Sequence, residues 1–351
     1  MFVGGEFYDD SRWTVPSSVL NTNGLYFLNG GRASLTVITD YLLSIGITRI
    51  LLPSYLCPSI LDVLDQKGLG YSFYQVNSDF SIDLRNLEVQ IKTMKAMYII
   101  NYFGFQHSPE ILDFIRSKQQ SGVFVIEDNC QSGFANKTVG DFVFNSMRKV
   151  CACDGAYVAT RINLSTFIDK YQGRPNHRLP LIRDYRRLLP SYLFNGQGRR
   201  EDLERLFYQA ESLYESDGVV IGDPLERQKI EHMDWTAIRK IRRENYNRLL
   251  EGIFQLPALV PIYPSLQGDN MPLGLPVYLN EPDRDQLLET LADESISLTV
   301  HWDALLTDPR TNANPLTVGM ANKIITLPVD QYTNSEQIKY LLSQLNRFFS
   351  K

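Results

Sequence analysis

Residues 123–131 read VFVIEDNCQ, and residues 141–149 read DFVFNSMRK. Each carries a short apolar run rich in valine and phenylalanine that turns polar at its end, the first at Glu127-Asp128 and the second from Asn145 to Lys149. Runs of this length and composition, bounded by polar residues, read as buried strands. In an open parallel α/β sheet, ligands gather beyond the carboxyl ends of the strands, so Asp128 and Lys149 stand where chemistry is expected. Read alone, each has a plainer account: an aspartate there can cap the following turn, and most lysines are simply solvated. Arg148 beside Lys149 should lower the proton affinity of its amine, which helps it act as a nucleophile.

Outward from this stretch the same alternation continues. Further strands are expected at Arg49–Pro53, Tyr71–Val76, Ala96–Asn101 and Ala156–Thr160, besides Val123–Glu127 and Asp141–Phe144. Between them, Ala33–Ser44, Pro58–Gln66, Asp83–Ile91 and Pro109–Gln119 place apolar residues three or four apart, the spacing of a helix packed on a sheet. The fold class is therefore α/β with a mostly parallel sheet. After Gly155 the rhythm breaks. Residues 174–200, basic and punctuated by proline and glycine, read as an irregular or short-helical excursion. A long polar helix is expected over Asp234–Gly252, then a smaller α+β unit with strands at Gly274–Leu279 and Leu298–Trp302 and helices at Pro282–Asp293 and Asn334–Phe349. The expected division is a large domain over 1–230 and a small one over 231–351.

Composition excludes several classes. The chain has 351 residues, 44% apolar and 21% charged, which suits a globular protein large enough to bury a cleft. The formal charge of -5 comes from 40 acidic against 35 basic residues, and no basic tract could track a nucleic-acid backbone. No segment approaches the roughly 18 uninterrupted apolar residues that span a bilayer. The opening MFVGGEFYDDSRW is acidic where a secretory signal is basic, so a cytoplasmic location is expected. Cys57, Cys130, Cys151 and Cys153 have neither disulfide-framework nor zinc-site spacing, and no metal is expected.

A third candidate is Asn29-Gly30-Gly31-Arg32-Ala33-Ser34, where glycines precede a helix whose free N–H groups and positive end suit a phosphate. A glycine-led helix start, a strand-terminal aspartate and then a lysine together resemble the fold-type I pyridoxal-phosphate enzymes. In particular, the chain is similar to the DegT/DnrJ/EryC1/StrS family of sugar aminotransferases. Gly31-Arg32 matches the family's helix start; Glu127, Asp128 and Gln131 match its Glu-Asp-x-x-Gln strand end; Lys149 matches its cofactor lysine; and Asp154-Gly155-Ala156 matches the turn that follows. The resemblance extends through Ile238–Leu250, Ser295–Trp302 and Ile325–Val329 and so covers essentially the whole chain.

The resemblance implies the three-layer fold-type I sheet with a smaller C-terminal α+β domain, and pyridoxal 5'-phosphate as cofactor. It implies that Lys149 forms the imine and moves the proton, that Asp128 keeps the pyridine nitrogen protonated, and that Gln131 sits beside the ring substituents. Gly31, Arg32 and Ala33 would take the phosphate, with Ser146 standing in for a family serine whose place is held by Phe144. Tyr55 would stack on the ring, and His301 would lie at the active-site rim. The family's Asn-x-Arg segment, donated by a neighbouring subunit, has Asn176-His177-Arg178 as its nearest counterpart.

The function implied is amino transfer from an amino acid, with glutamate the expected donor, to a keto sugar. That sugar is usually nucleotide-linked in this family and destined for polysaccharide or natural-product biosynthesis, and the enzyme is expected to be a homodimer. Arg183, Arg186, Arg187 and Arg199 could meet a diphosphate, or form an exposed helix face; Arg186 and Arg187 are the substrate candidates. Two alternatives stand beside this. A sugar dehydratase would carry histidine where Lys149 stands. A non-catalytic cofactor- or sugar-nucleotide-binding homologue would need neither Lys149 nor Asp128.

Overall fold

The computed structural model describes all residues except 18, 19, 136, 281–283 and 351. Its strands in chain order are β1 (Val3–Gly4), β2 (Tyr26–Leu28), β3 (Arg49–Pro53), β4 (Gly70–Tyr74), β5 (Ala96–Ile100), β6 (Phe124–Asp128), β7 (Phe142–Phe144), β8 (Ala156–Thr160), β9 (Leu259–Pro261), β10 (Gly274–Leu279), β11 (Ile296–Ser297) and β12 (Ile324–Pro328). The main sheet has the order β2-β8-β7-β6-β5-β3-β4. Neighbours from β4 to β7 pair in parallel, whereas β8 is antiparallel to both β7 and β2. The expected mostly parallel α/β sheet is present. β5 is buried at every residue, and β6 at all but its first, which is why they read as unbroken apolar runs rather than alternating ones.

Helices connect these strands: α1 (Gly31–Ser44), α2 (Pro58–Lys67), α3 (Leu84–Gln90) and α4 (Pro109–Gln120) fall within a few residues of the sequence expectation. Their ends have local causes. Asp83 and Ser108 cap α3 and α4 through backbone amides three residues on, and Pro58 and Pro109 open α2 and α4, where a missing N–H costs nothing. β12, β10 and β9 form a separate antiparallel sheet, and β1 pairs in parallel with β11, so the N-terminus is stitched to the C-terminal third.

Two expectations are corrected. Residues 174–200 are largely regular: after α5 (Ser165–Ile168), α6 runs Arg178–Asn195 and is followed by α7 (Arg200–Ser216). Pro190 lies inside α6 and cannot donate to the carbonyl of Arg186, which instead accepts from the Asp9 amide at 3.5 Å. Gly196, at φ +62°, stops α6 in the left-handed conformation, and the two helices pack as a hairpin burying Leu179, Ile182 and Ala210. The second correction is the strand expected over Leu298–Trp302. β11 lies just upstream, and beyond it a single bridge joins Thr299 to Thr326.

The remaining helices are α8 (Pro224–Glu231), α9 (Trp235–Ile253), α10 (Arg284–Asp293), α11 (Ala304–Thr307), α12 (Pro315–Lys323) and α13 (Ser335–Phe349). The first residues of the helix expected over Pro282–Asp293 lie outside the described residues. Among the described residues, no helix is long and apolar enough to cross a membrane, and no cluster of three His, Cys, Asp or Glu could hold a metal. All four cysteines are free.

Candidate active site

β6 ends on Glu127 and Asp128, which a strand's two-residue period turns to opposite faces. Glu127 is structural. Its Oε2 accepts from the Val139 and Gly140 amides at 2.7 and 2.9 Å, and its Oε1 from Asn101 Nδ2 at 2.9 Å. Asp128 faces a cavity of about 290 Å³, with Oδ1 taking the Cys130 amide at 2.7 Å and Oδ2 the Tyr98 hydroxyl at 2.6 Å. Burial and the Asp128 carboxylate hold the Cys130 thiol protonated, its pKa pushed well up.

Lys149 ends a single turn of 3-10 helix, Met147–Lys149, that follows β7 and opens into the same cavity. That turn is pinned on both sides. Asn145 accepts from the Tyr157 amide at 2.8 Å, and Met147 donates to the Gly155 carbonyl at 2.9 Å. Just after Lys149, the Val150 carbonyl accepts from Arg242 Nη2 and from Gln331 Nε2, both at 3.0 Å. Arg242, on α9, is fully buried, and it donates to the carbonyls of Val150, Pro272 and Leu273 and to Oε1 of Gln331. This is what the arginine-rich helix contributes: a rigid fork of donors that fixes the backbone beside Lys149.

The cavity's far end is the start of α1. Its first i to i−4 bond runs from Ser34 to Gly30, so the first turn, from Gly31, lies ahead of the helix's own hydrogen-bond ladder, and Gly30 offers no capping side chain. Both glycines are sterically required. A Cβ on Gly31 would meet Cys130 Sγ at 2.8 Å, and one on Gly30 would collide with the Tyr214 hydroxyl. Gly31, Arg32, Ser146, Arg148 and Tyr214 line this end.

Gln131 gives the strongest sign that a ligand belongs here. Its Oε1 accepts from the Phe103 amide at 2.7 Å, yet its Nε2 is buried with no partner, on a residue that is 2% exposed and lines the cavity. Buried amide donors in native proteins are satisfied by something, so a hydrogen-bond acceptor is missing at this point. A phosphorylated pyridine aldehyde fits the set: an amine for its carbonyl, a carboxylate for its ring nitrogen, an unpaired donor for a ring oxygen and a helix start for its phosphate.

No family model matches the sequence, and no curated protein matches it either. Solved structures do match in shape. Spr1654 of Streptococcus pneumoniae, assigned as a sugar aminotransferase and solved in its PLP form, shares 14% identity at a TM-score of 0.67, covering 98% of this chain and 92% of that one. A DegT DnrJ EryC1 StrS aminotransferase from Brucella abortus shares 18% at a TM-score of 0.62, covering 94% and 87%. DesI, solved in the presence of its TDP-sugar product, shares 15% at 0.66, covering 92% and 80%. This chain has the aminotransferase fold.

Within that fold, the structure brings Asp128, Gln131, Lys149, Ser146, Gly31 and Arg32 onto one cavity. Ala33 is buried and does not line it. Tyr55 does not line the cavity. It is fully buried among Phe80, Tyr102 and Trp302, its hydroxyl donates to the His301 carbonyl, and Cys57 faces the cavity from this segment. The lining aromatics are instead Tyr98, Phe144, Tyr214 and Trp302, with Lys149 Nζ 6.0 Å from the Trp302 ring centroid.

His301 lines a second cavity, also of about 290 Å³, which shares Arg148, Lys149 and Trp302 with the first. Burial, with Lys149 adding to it, pushes the His301 pKa down to about 3, so its imidazole is neutral and bonded to Thr326 Oγ1 at 3.1 Å.

Arg186 and Arg187 line neither cavity. Arg186 is 3% exposed and paired with Asp154 at 2.8 Å, while Arg187 points outward to Asp184. The arginine stripe expected to meet a diphosphate or to form an exposed helix face turns inward at Arg186, and Arg183 pairs with Asp223 and Glu226. Asn176 and Arg178 are likewise used within the chain, the first accepting from the Leu179 amide at 3.0 Å and the second pairing with Asp154 at 2.7 Å.

Proposed function

We propose that this protein is a pyridoxal-phosphate-dependent aminotransferase that moves an amino group from an amino acid, with glutamate the expected donor, to a nucleotide-linked keto sugar. The reading rests on one observation: Lys149, Asp128 and the unpartnered Gln131 amide converge on one cavity that ends at an uncapped helix start. Lys149 would hold the cofactor through its amine and, once released, carry the proton at the substrate carbon. Asp128 would hold the ring nitrogen in its protonated form, Gln131 would donate to the ring oxygen, and the amides at Gly31, Arg32 and Ala33 with Ser146 would take the phosphate. When bound, pyridoxal phosphate supplies an electron sink for the carbanion formed at that carbon.

The second cavity is the place for the sugar and the amino donor, because Lys149 forms a wall of both. His301 there stays neutral and shapes the wall without adding charge. Lysine at position 149 favours amino transfer over dehydration. The nucleotide link rests on the sequence resemblance and on the TDP-sugar product of the fold neighbour DesI. A homodimer in the cytoplasm, serving polysaccharide or natural-product biosynthesis, completes the proposal.

The test is a panel of nucleotide-linked and free keto sugars offered with glutamate and pyridoxal phosphate, read by product mass. An amino sugar with the mass expected for exchange of a carbonyl oxygen for an amine supports the reading. Water loss without nitrogen gain would point to a dehydratase, and cofactor that never responds to any amino donor would point to a binding protein.

A further inference from the structure

Tyr214 lies opposite the helix start that closes the cavity. It sits near the end of α7, beyond the stretch 174–200 that the sequence reads as irregular, and is 7% exposed. Its ring is held by arginines: Arg32 and Arg148 each place their guanidinium carbon 4.7 Å from the ring centroid, and Arg178 lies at 5.2 Å. Glu211, one turn earlier on α7, ties this arrangement together by accepting from Arg148 at 2.9 Å and from Arg178 at 2.8 Å. The ring is therefore fixed through its faces and not through its hydroxyl.

That hydroxyl makes no hydrogen bond to any described side chain or backbone group, although it lies against Gly30 at the head of α1. Burial raises its pKa more than Arg148 and Arg32 lower it, so it stays a donor at ordinary pH. The protonated hydroxyl of Tyr214, Gly31 at the first turn of α1, and the side chains of Arg32 and Arg148 all line the cavity. This is a set of donors and cations suited to a dianion.

We propose that Tyr214 is a phosphate ligand, so that the α6–α7 hairpin of this chain itself completes the phosphate seat; the proposal rests on the reading of the cavity as a pyridoxal-phosphate site. Its hydroxyl donates to a phosphate oxygen, while Arg32 and Arg148 hold the ring and balance the charge.

The experiment compares the full-length apoprotein with Tyr214→Phe, which keeps the ring on which the arginines stack. Each is titrated with pyridoxal phosphate and with pyridoxal, which lacks the phosphate, followed by absorbance. The variant should bind pyridoxal phosphate about tenfold more weakly, the size of one lost hydrogen bond to a charged group, and bind pyridoxal as the wild type does. The phosphorus resonance of the bound cofactor should shift between the two proteins, and the apoprotein melting temperature should not change, because the hydroxyl has no partner to lose. Equal affinity for pyridoxal phosphate in both proteins overturns the proposal, as does an equal loss for both ligands. A tenfold difference in binding of inorganic phosphate, with no cofactor captured on Lys149 by borohydride, would uphold Tyr214 as a phosphate ligand and reject the aminotransferase reading.

Discussion

The Tyr98 hydroxyl donates to Oδ2 of Asp128 at 2.6 Å, across the parallel pairing of β5 and β6. Tyr98 is fully buried, and Asp128 carries a second bond from the Cys130 amide on its other oxygen, so the carboxylate is oriented before any ligand arrives. Tyr98→Phe removes one of these donors without changing the packing volume much. We expect the apoprotein to lose about 1–3 kcal/mol in denaturant unfolding, the cost of leaving a buried acceptor unpaired. A change of only a few tenths would mean that water already satisfies that oxygen.

Lys149 is expected to carry the cofactor. Wild-type protein treated with pyridoxal phosphate and borohydride should yield the reduced adduct on the peptide containing Lys149, read by mass spectrometry. Lys149→Ala should still bind the cofactor reversibly through the Asp128 and phosphate contacts, while amino transfer nearly vanishes. An adduct on the exposed Lys137, which does not line this cavity, would show that the site has been misread.

Arg186 and Arg187 are neighbours in sequence with opposite fates. Arg186→Ala leaves Asp154 buried with one cationic partner fewer and should destabilise the fold by about 3–5 kcal/mol. Arg187, exposed and paired with the exposed Asp184, should change stability by no more than about 0.5 kcal/mol when replaced by Ala. Urea melts of the two variants read this directly, and equal effects would contradict the buried pair.

His301 supplies a pH signature. Its pKa is pushed down to about 3 by burial first and by Lys149 second, from an ordinary value of 6.5. Above pH 6.5 the imidazole is neutral in both folded and unfolded chains and its contribution is constant. Below it, the unfolded chain takes a proton that the folded one refuses, so stability falls as pH drops, by up to about 1.4 kcal/mol per pH unit. His301→Gln, which can keep a hydrogen bond to Thr326, should remove this component between pH 6.5 and 5. Parallel stability curves for the two proteins would refute the shift.

Much of the sheet could be read without coordinates. Arg49–Pro53, Ala156–Thr160 and Gly274–Leu279 are strands with the expected bounds, because short apolar runs between turn signals are set by local preference and burial. The places of Asp128 and Lys149 were legible in a similar way: Asp128 ends β6 and Lys149 follows β7 by one turn, and the carboxyl ends of strands are where such sheets gather ligands. Helix α6 was not, since Pro190 signals a break, and the carbonyl it leaves free accepts from the Asp9 amide, far away in sequence.

The sequence by itself determined the layer architecture, the positions of Asp128, Gln131 and Lys149 at or just beyond its strand ends, and the glycine-led start of α1, because each depends on residues a few places apart. Only the tertiary structure decided which side chains look across the cavity. Cys57 rather than Tyr55 faces it, Trp302 arrives from the C-terminal third, and Tyr214 comes from a helix far beyond Lys149. Sequence spacing fixes the face of a single element, whereas the meeting of distant elements is settled by how their buried surfaces and charges, such as those of Arg148, Arg178 and Glu211, can be satisfied together.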